Sequence, residues 1–174
     1  MDLRERKTKR SLKKAFLELR ATKPLEKITI KELAQSAEIS KATFYLHYKD
    51  IYDLSNQLQD EMIQDILNSI IQPGIPLLDM NQISRLLFES FCIHQDLVDI
   101  LFSGSQESVL VSHLERGIKE YIFSSNPALR NDMVFNILLS YRIYGAYYAY
   151  WENYKQFGST RIVEMLDNLS IEIH

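Results

Sequence analysis

Thr29–Leu54, TIKELAQSAEISKATFYLHYKDIYDL, is the stretch that decides the fold of this chain. Thr29 stands three residues before Glu32. That is the spacing of a capping box, in which the threonine oxygen accepts the Glu32 amide and the carboxylate reaches back to the cap. Leu33, Ala34 and Ala37 then form a small apolar stripe, and Ala34 admits another helix at close range. Ser40 is a second N-cap, and Lys41–Tyr48 reads as one helix of about two turns. Asp50 caps a third helix, with Asp53 in the first turn, where the helix dipole favours an anion. Two short helices joined by a tight turn make a helix-turn-helix, whose second helix enters the DNA major groove.

The residue types suit that use. Phe44 can anchor the second helix in a core, while Lys41, Thr43, Tyr45, His47 and Tyr48 offer hydrogen-bond donors around it. Hydroxyls and amines bind phosphate oxygens, and a threonine methyl can touch a thymine methyl. An ordinary helical hairpin with surface tyrosines shares the same spacing, so charge has to help decide. Residues 1–50 hold 13 Lys and Arg against 7 Asp and Glu, a net of +6, whereas residues 51–174 carry a net of −9. The overall −3 therefore hides a basic amino-terminal module, as expected where one end of a chain meets a polyanion. The cluster Arg4, Arg6, Lys7, Lys9, Arg10, Lys13 and Lys14 fits a solvated helix or a membrane surface as well. Beside a helix-turn-helix, DNA phosphate is the better partner.

Residues 3–60 resemble the DNA-binding domain of the TetR family of bacterial transcriptional regulators. Ile30, Leu33, Ala34, Ala37, Ile39 and Ser40 match its first motif helix and turn, and Thr43, Phe44, Tyr45, His47 and Tyr48 its recognition helix. Leu54 follows in place, and Arg4–Arg20 looks like the family's basic first helix. The resemblance implies a homodimeric regulator, by default a repressor, on a pseudo-palindromic double-stranded DNA operator, controlled by a small-molecule or protein effector. With the outward residue types it marks Thr29, Ser40, Lys41, Ala42, Thr43, Tyr45, His47 and Lys49 as the DNA-binding set.

Three positions depart from the family pattern. Glu38 replaces a turn glycine, which implies backbone strain if the turn keeps a positive φ. Ala42 replaces a frequent glycine and firms the recognition helix. Ile51 replaces a lysine that commonly touches the DNA backbone, which implies weaker phosphate attachment unless nearby Lys49 substitutes. On that ground the rival reading is a helix-turn-helix protein with weakened DNA binding that acts through protein partners.

Beyond Leu54 the chain reads as helical throughout. Leu54, Leu58, Met62, Ile66 and Ile70 recur every four residues until Pro73–Pro76 stops the helix. Further helices are expected around Ile83–Phe91, Leu97–Leu101, Val109–Phe123, Met133–Tyr154 and Thr160–Ile173. The expected fold is all-α with about nine helices: a DNA-binding domain over residues 1–55, and a dimerisation and effector domain over 56–174.

Tyr141–Tyr154, YRIYGAYYAYWENY, is the second informative segment. Aromatics on more than one side of a helix imply more than one packing partner, either a core with a dimer interface or the lining of an effector pocket. The pocket reading takes Tyr141, Arg142, Tyr144, Tyr148 and Trp151. The dimer reading takes Tyr147, Tyr150, Ile162, Leu166 and Leu169, since in TetR-like proteins the last two helices form a four-helix bundle with their mates.

Catalysis has little support. His47, His94, His113 and His174 show no metal-binding spacing, and there is no Gly-rich phosphate loop or Cys-x-x-Cys, so neither metal nor cofactor is expected. Cys92 and His94 lie two apart and point to different sides of a helix. The single cysteine fits a reducing cytoplasm. No apolar stretch has the length of a membrane span or a secretory signal, so a cytoplasmic protein is expected.

Overall fold

Helices account for all the regular structure in the computed structural model, which describes residues 3–71, 80–103, 106–162 and 164–165. The α-helices are α1 (Leu3–Arg20), α2 (Ile30–Ser36), α3 (Lys41–Tyr45), α4 (Ile51–Ile70), α5 (Met80–Leu101), α6 (Glu107–Ser125) and α7 (Met133–Phe157). Short 3-10 turns occupy Leu25–Lys27 and Pro127–Asn131, and residues 159–162 and 164–165 are helical as well. No strand occurs among the described residues, so the all-α expectation holds. The Pro73–Pro76 stop, Leu166 and Leu169 lie outside the described residues.

The chain divides into two compact units. The first takes Met1–Met62 and Asp96–Gln106, the second Ile63–Gln95 and Glu107–His174. In the first unit α1 packs on α2 and α2 on α3. Its core is apolar and well enclosed, with Leu12, Phe16, Leu33, Phe44, Leu54 and Leu58 all buried. The last turn of α5 belongs here too, adding Val98, Leu101 and Phe102. Two side chains tie it down: Gln59 Nε2 donates to the Leu101 carbonyl at 2.8 Å, and Arg20 Nη2 donates to the Ser103 carbonyl at 3.1 Å. Carbonyls at a helix end lack intrahelical partners and carry the negative pole of the dipole, so an amide and a guanidinium suit them.

The second unit has its own core, with Ile66, Ile83, Leu87, Phe91, Leu114, Ile118 and Ile143 among its buried residues. A Cβ on Gly117 of α6 would lie 2.5 Å from Leu67 Cδ1 of α4, so any larger residue there must displace the end of that leucine. Where the sequence suggested a break between Phe91 and Leu97, α5 runs on as one helix. Cys92–Asp96 contains no glycine or proline to interrupt it.

The end of α2 has the bond pattern that requires a left-handed residue. Ile39 N donates to the Ala34 carbonyl at 2.9 Å and Glu38 N to the Gln35 carbonyl at 3.2 Å. This is a Schellman arrangement, and its left-handed position is held by Glu38 at φ 55°. A side chain there costs on the order of 1 kcal/mol or more, and part of the gain from glycine is returned as unfolded-state entropy. Glu38→Gly is therefore expected to raise stability by roughly 0.5–1 kcal/mol in urea denaturation. A loss of stability in that variant would remove strain from the account of this turn.

Candidate nucleic-acid interface

The motif is assembled by caps at each helix start. Thr29 Oγ1 accepts the Glu32 amide at 3.2 Å, as its position in sequence led one to expect. The reciprocal half of that box is different: Glu32 pairs its carboxylate with Lys23 instead. A charged partner outcompetes a neutral amide. Ser40 Oγ accepts the Thr43 amide at 3.0 Å and lies 2.8 Å from Thr43 Oγ1, so the two hydroxyls hold each other in place. At α4, Asp50 Oδ1 accepts the Asp53 amide at 2.8 Å while Asp53 Oδ2 accepts the Lys49 amide at 2.9 Å. The Lys49 amide, then the Gln57 side chain, hold the Asp53 carboxyl below its ordinary pKa, with the Lys49 charge adding to the effect.

The recognition helix is shorter than the expected Lys41–Tyr48. α3 ends at Tyr45, and beyond it the Phe44 carbonyl accepts both the His47 amide at 2.9 Å and the Tyr48 amide at 3.0 Å. Phe44 is fully buried and sets the orientation of its neighbours. Lys41, Ala42, Tyr45, Leu46 and Lys49 are exposed, and Thr43 and His47 half-buried. Thr29 and Ser40 are exposed at the two helix starts. Tyr48, counted above among the outward donors, instead lies in the core with Phe44. Burial, then the charges of Glu61 and Asp53, push its phenol pKa up.

Ile51, where the family pattern has lysine, is buried and packs the start of α4 into the first unit. Its neighbour Tyr52 is half exposed instead. Lys41 makes no ion pair among the described residues. On α1, Lys9, Lys13 and Lys14 are spent on Glu5, Glu61 and Glu18. Arg6, Lys7 and Arg10 instead line a surface depression beside Leu3 and form no ion pair among the described residues. Exposed pairs such as those of Lys9, Lys13 and Lys14 are weak, so the acids temper the basic surface without closing it. Leu46, 81% exposed, and Tyr52 are outward groups that sequence reasoning missed. Their signal was positional: Leu46 follows the outward Ala42 by four residues, one helical turn.

In the second unit the aromatic helix α7 has two different sides. Tyr147, Tyr150 and Tyr154 face inward and are buried. The Tyr150 hydroxyl lies 3.0 Å from both Gln95 Oε1 and Ser159 Oγ, and Ser159 donates to the same Oε1 at 2.9 Å. Tyr147 and Tyr150, assigned above to a dimer interface, are therefore core residues of their own unit, and Ile162 is buried as well. Their surface is already used within one chain. The expected pocket set is also divided. Tyr141 and Tyr148 are exposed, and Tyr144 and Arg142 half-buried. Trp151 packs against Phe91, Tyr147, Tyr150 and Tyr154, with its Nε1 enclosed and without a partner among the described residues. Tyr144 bonds to Glu115, which also accepts from Lys119 at 2.7 Å and from Ser140. Burial opposes the Glu115 charge, but these donors outweigh it and hold its carboxyl below the ordinary value. Burial, then Glu115, raise the Tyr144 phenol.

No protein-family profile matches the sequence, and no curated protein does either. Solved structures do. The chain is similar to the dihydroxyacetone kinase operon activator DhaS, at 14% identity and a TM-score of 0.59 over 95% of this chain and 94% of that one. It is equally similar to the fatty acid degradation regulator FadR from Bacillus halodurans, at 14% identity and 0.59 over 94% of each chain. A fatty acid metabolism regulator from Clostridium perfringens matches at 17% identity and 0.50, over 93% and 97%. What this chain shares with them is the helical fold.

Two neighbouring positions separate folding from surface chemistry. Phe44→Ala is expected to cost about 3–5 kcal/mol of stability in denaturant melts, whereas Tyr45→Ala stays within about 0.5. Similar losses at both positions would mean that α3 is not oriented by Phe44.

Proposed function

We propose that this protein is a DNA-binding transcriptional regulator of the TetR type, acting as a homodimer on a pseudo-palindromic operator and by default repressing. The observation that carries the reading is the outward face of α3. A five-residue helix held by a buried Phe44 presents Lys41, Ala42, Tyr45 and Leu46 together, with Lys49 beyond its end. Its fold-mates support the reading in kind, being named for regulation of an operon or of fatty acid metabolism. The first unit would serve as the DNA head and the second as the dimerisation and effector module.

Dimerisation follows from α3 being so short. One helix of this length reads few base pairs, and two copies about 34–36 Å apart build a specific site. The exposed side of α7 supports pairing with a second copy. Val134, Ile137, Leu138, Tyr141 and Tyr148 recur along it at helical spacing. Gly145, between the two tyrosines, has nothing within 4 Å of where a Cβ would stand, counting the described residues. An apolar stripe of this kind, open to water, fits a self-complementary interface. An effector acts in this scheme only if it prefers one of two arrangements of the dimer. α4 and α5, which contribute residues to both units, are the elements it would bias.

Two experiments test the reading. Gel shift across a salt series should give a discrete complex that weakens steeply with salt, and Lys41→Gln and Lys49→Gln should each flatten the log–log slope by about one unit. Unchanged slopes would take both lysines off the phosphates. In sedimentation, Leu138→Glu is expected to convert dimer to monomer with the helical content intact; a variant that stays dimeric would move the interface off this stripe.

A further inference from the structure

Outside its polar contacts, α3 carries an apolar strip. Leu46 N donates to the Ala42 carbonyl at 3.2 Å, which places the two side chains one turn apart on the same side. Both are exposed, Leu46 at 81%. Lys41 and Tyr45 form the adjacent strip, also one turn apart and also exposed. An aliphatic side chain left this open on a helix of five residues supports no packing within its own unit.

We propose that the Ala42–Leu46 strip reads thymine: the two side chains meet the C5-methyl groups of thymines in the major groove and set sequence preference there. This deepens the DNA-binding reading and rests on it. Three observations favour this occupant. Charge complementarity is the first, since Lys41 and Lys49 flank the strip and are exposed. Size is the second: a stable protein partner covers about 800 Å² per side, and two side chains offer a small part of that, but they match one or two methyl groups well. Spacing is the third. Four residues of helix rise about 6 Å, close to two base-pair steps of about 3.4 Å, so the thymines read lie within about two steps of each other.

The test uses the full-length protein and a duplex enriched by it from a random-sequence pool. Each thymine of that duplex is replaced in turn by uracil, which removes only the methyl, and affinities are measured at fixed salt. The wild type should lose about fourfold at one or two positions per half-site, the worth of one buried methyl group. Leu46→Ala should bind the parent duplex more weakly and lose its sensitivity to uracil at one of those positions, with the salt slope unchanged. 5-Methylcytosine at a neighbouring cytosine tests whether the methyl alone is attractive. If the duplex binds but uracil has no effect, or the same effect in Leu46→Ala, the strip does not read thymine while the regulator reading stands. If no duplex is enriched, the DNA-binding reading falls and this inference with it.

Discussion

A helix of five residues does not hold together by itself in water, because nucleation fixes several dihedrals for a single hydrogen bond. α3 exists because Phe44 is buried beneath it and because Ser40 supplies the bond its first turn lacks. Everything proposed for the outward face depends on that one anchored ring. With Phe44 inward, helical geometry turns Ala42 and Leu46 to the opposite side, and Lys41 and Tyr45 are exposed beside them. The same ring meets Tyr48, so the chain leaving α3 is also tied to the core.

The start of α4 extends this logic. Asp50 and Asp53 exchange bonds with the backbone on both sides of the helix start, which ties the link after α3 to the first turn of α4. Both acids are bound to backbone amides, so much of their charge is already answered by N–H dipoles. Ile51 completes the joint by burial. A lysine here would give up that packing.

The sequence made the fold legible because its signals agreed locally: caps at Thr29, Ser40 and Asp50, an apolar repeat along α4, and no strand alternation. It was less informative wherever a residue type serves two environments. Tyr150 and Tyr148 look alike in a helix with aromatics on all sides, yet one is enclosed with Gln95 and Ser159 and the other open. Tyrosine tolerates both, so periodicity alone could not assign the core side of α7. Glu32 and Lys23 illustrate a second reason. Their pairing depends on how the loop after α1 folds back, which capping rules written for a single helix do not include. Outward Leu46 was missed for a third: a leucine reads as core by default.

That last case bears on how the face works. Lysines and hydroxyls bind phosphate on any sequence, so they supply affinity without choice. Discrimination has to come from groups that see base edges, and on a helix of one and a half turns few positions do. With Thr43 and Ser40 occupied by each other, the hydroxyls nearest the helix start are less free to reach a base. What remains outward and uncommitted is Tyr45, Lys41 and the Ala42–Leu46 strip. If the first unit binds DNA as proposed, the buried Ile51 offers no charge to the phosphates. More of the binding would then come from shape and apolar contact in the groove, where the exposed Leu46 is an asset.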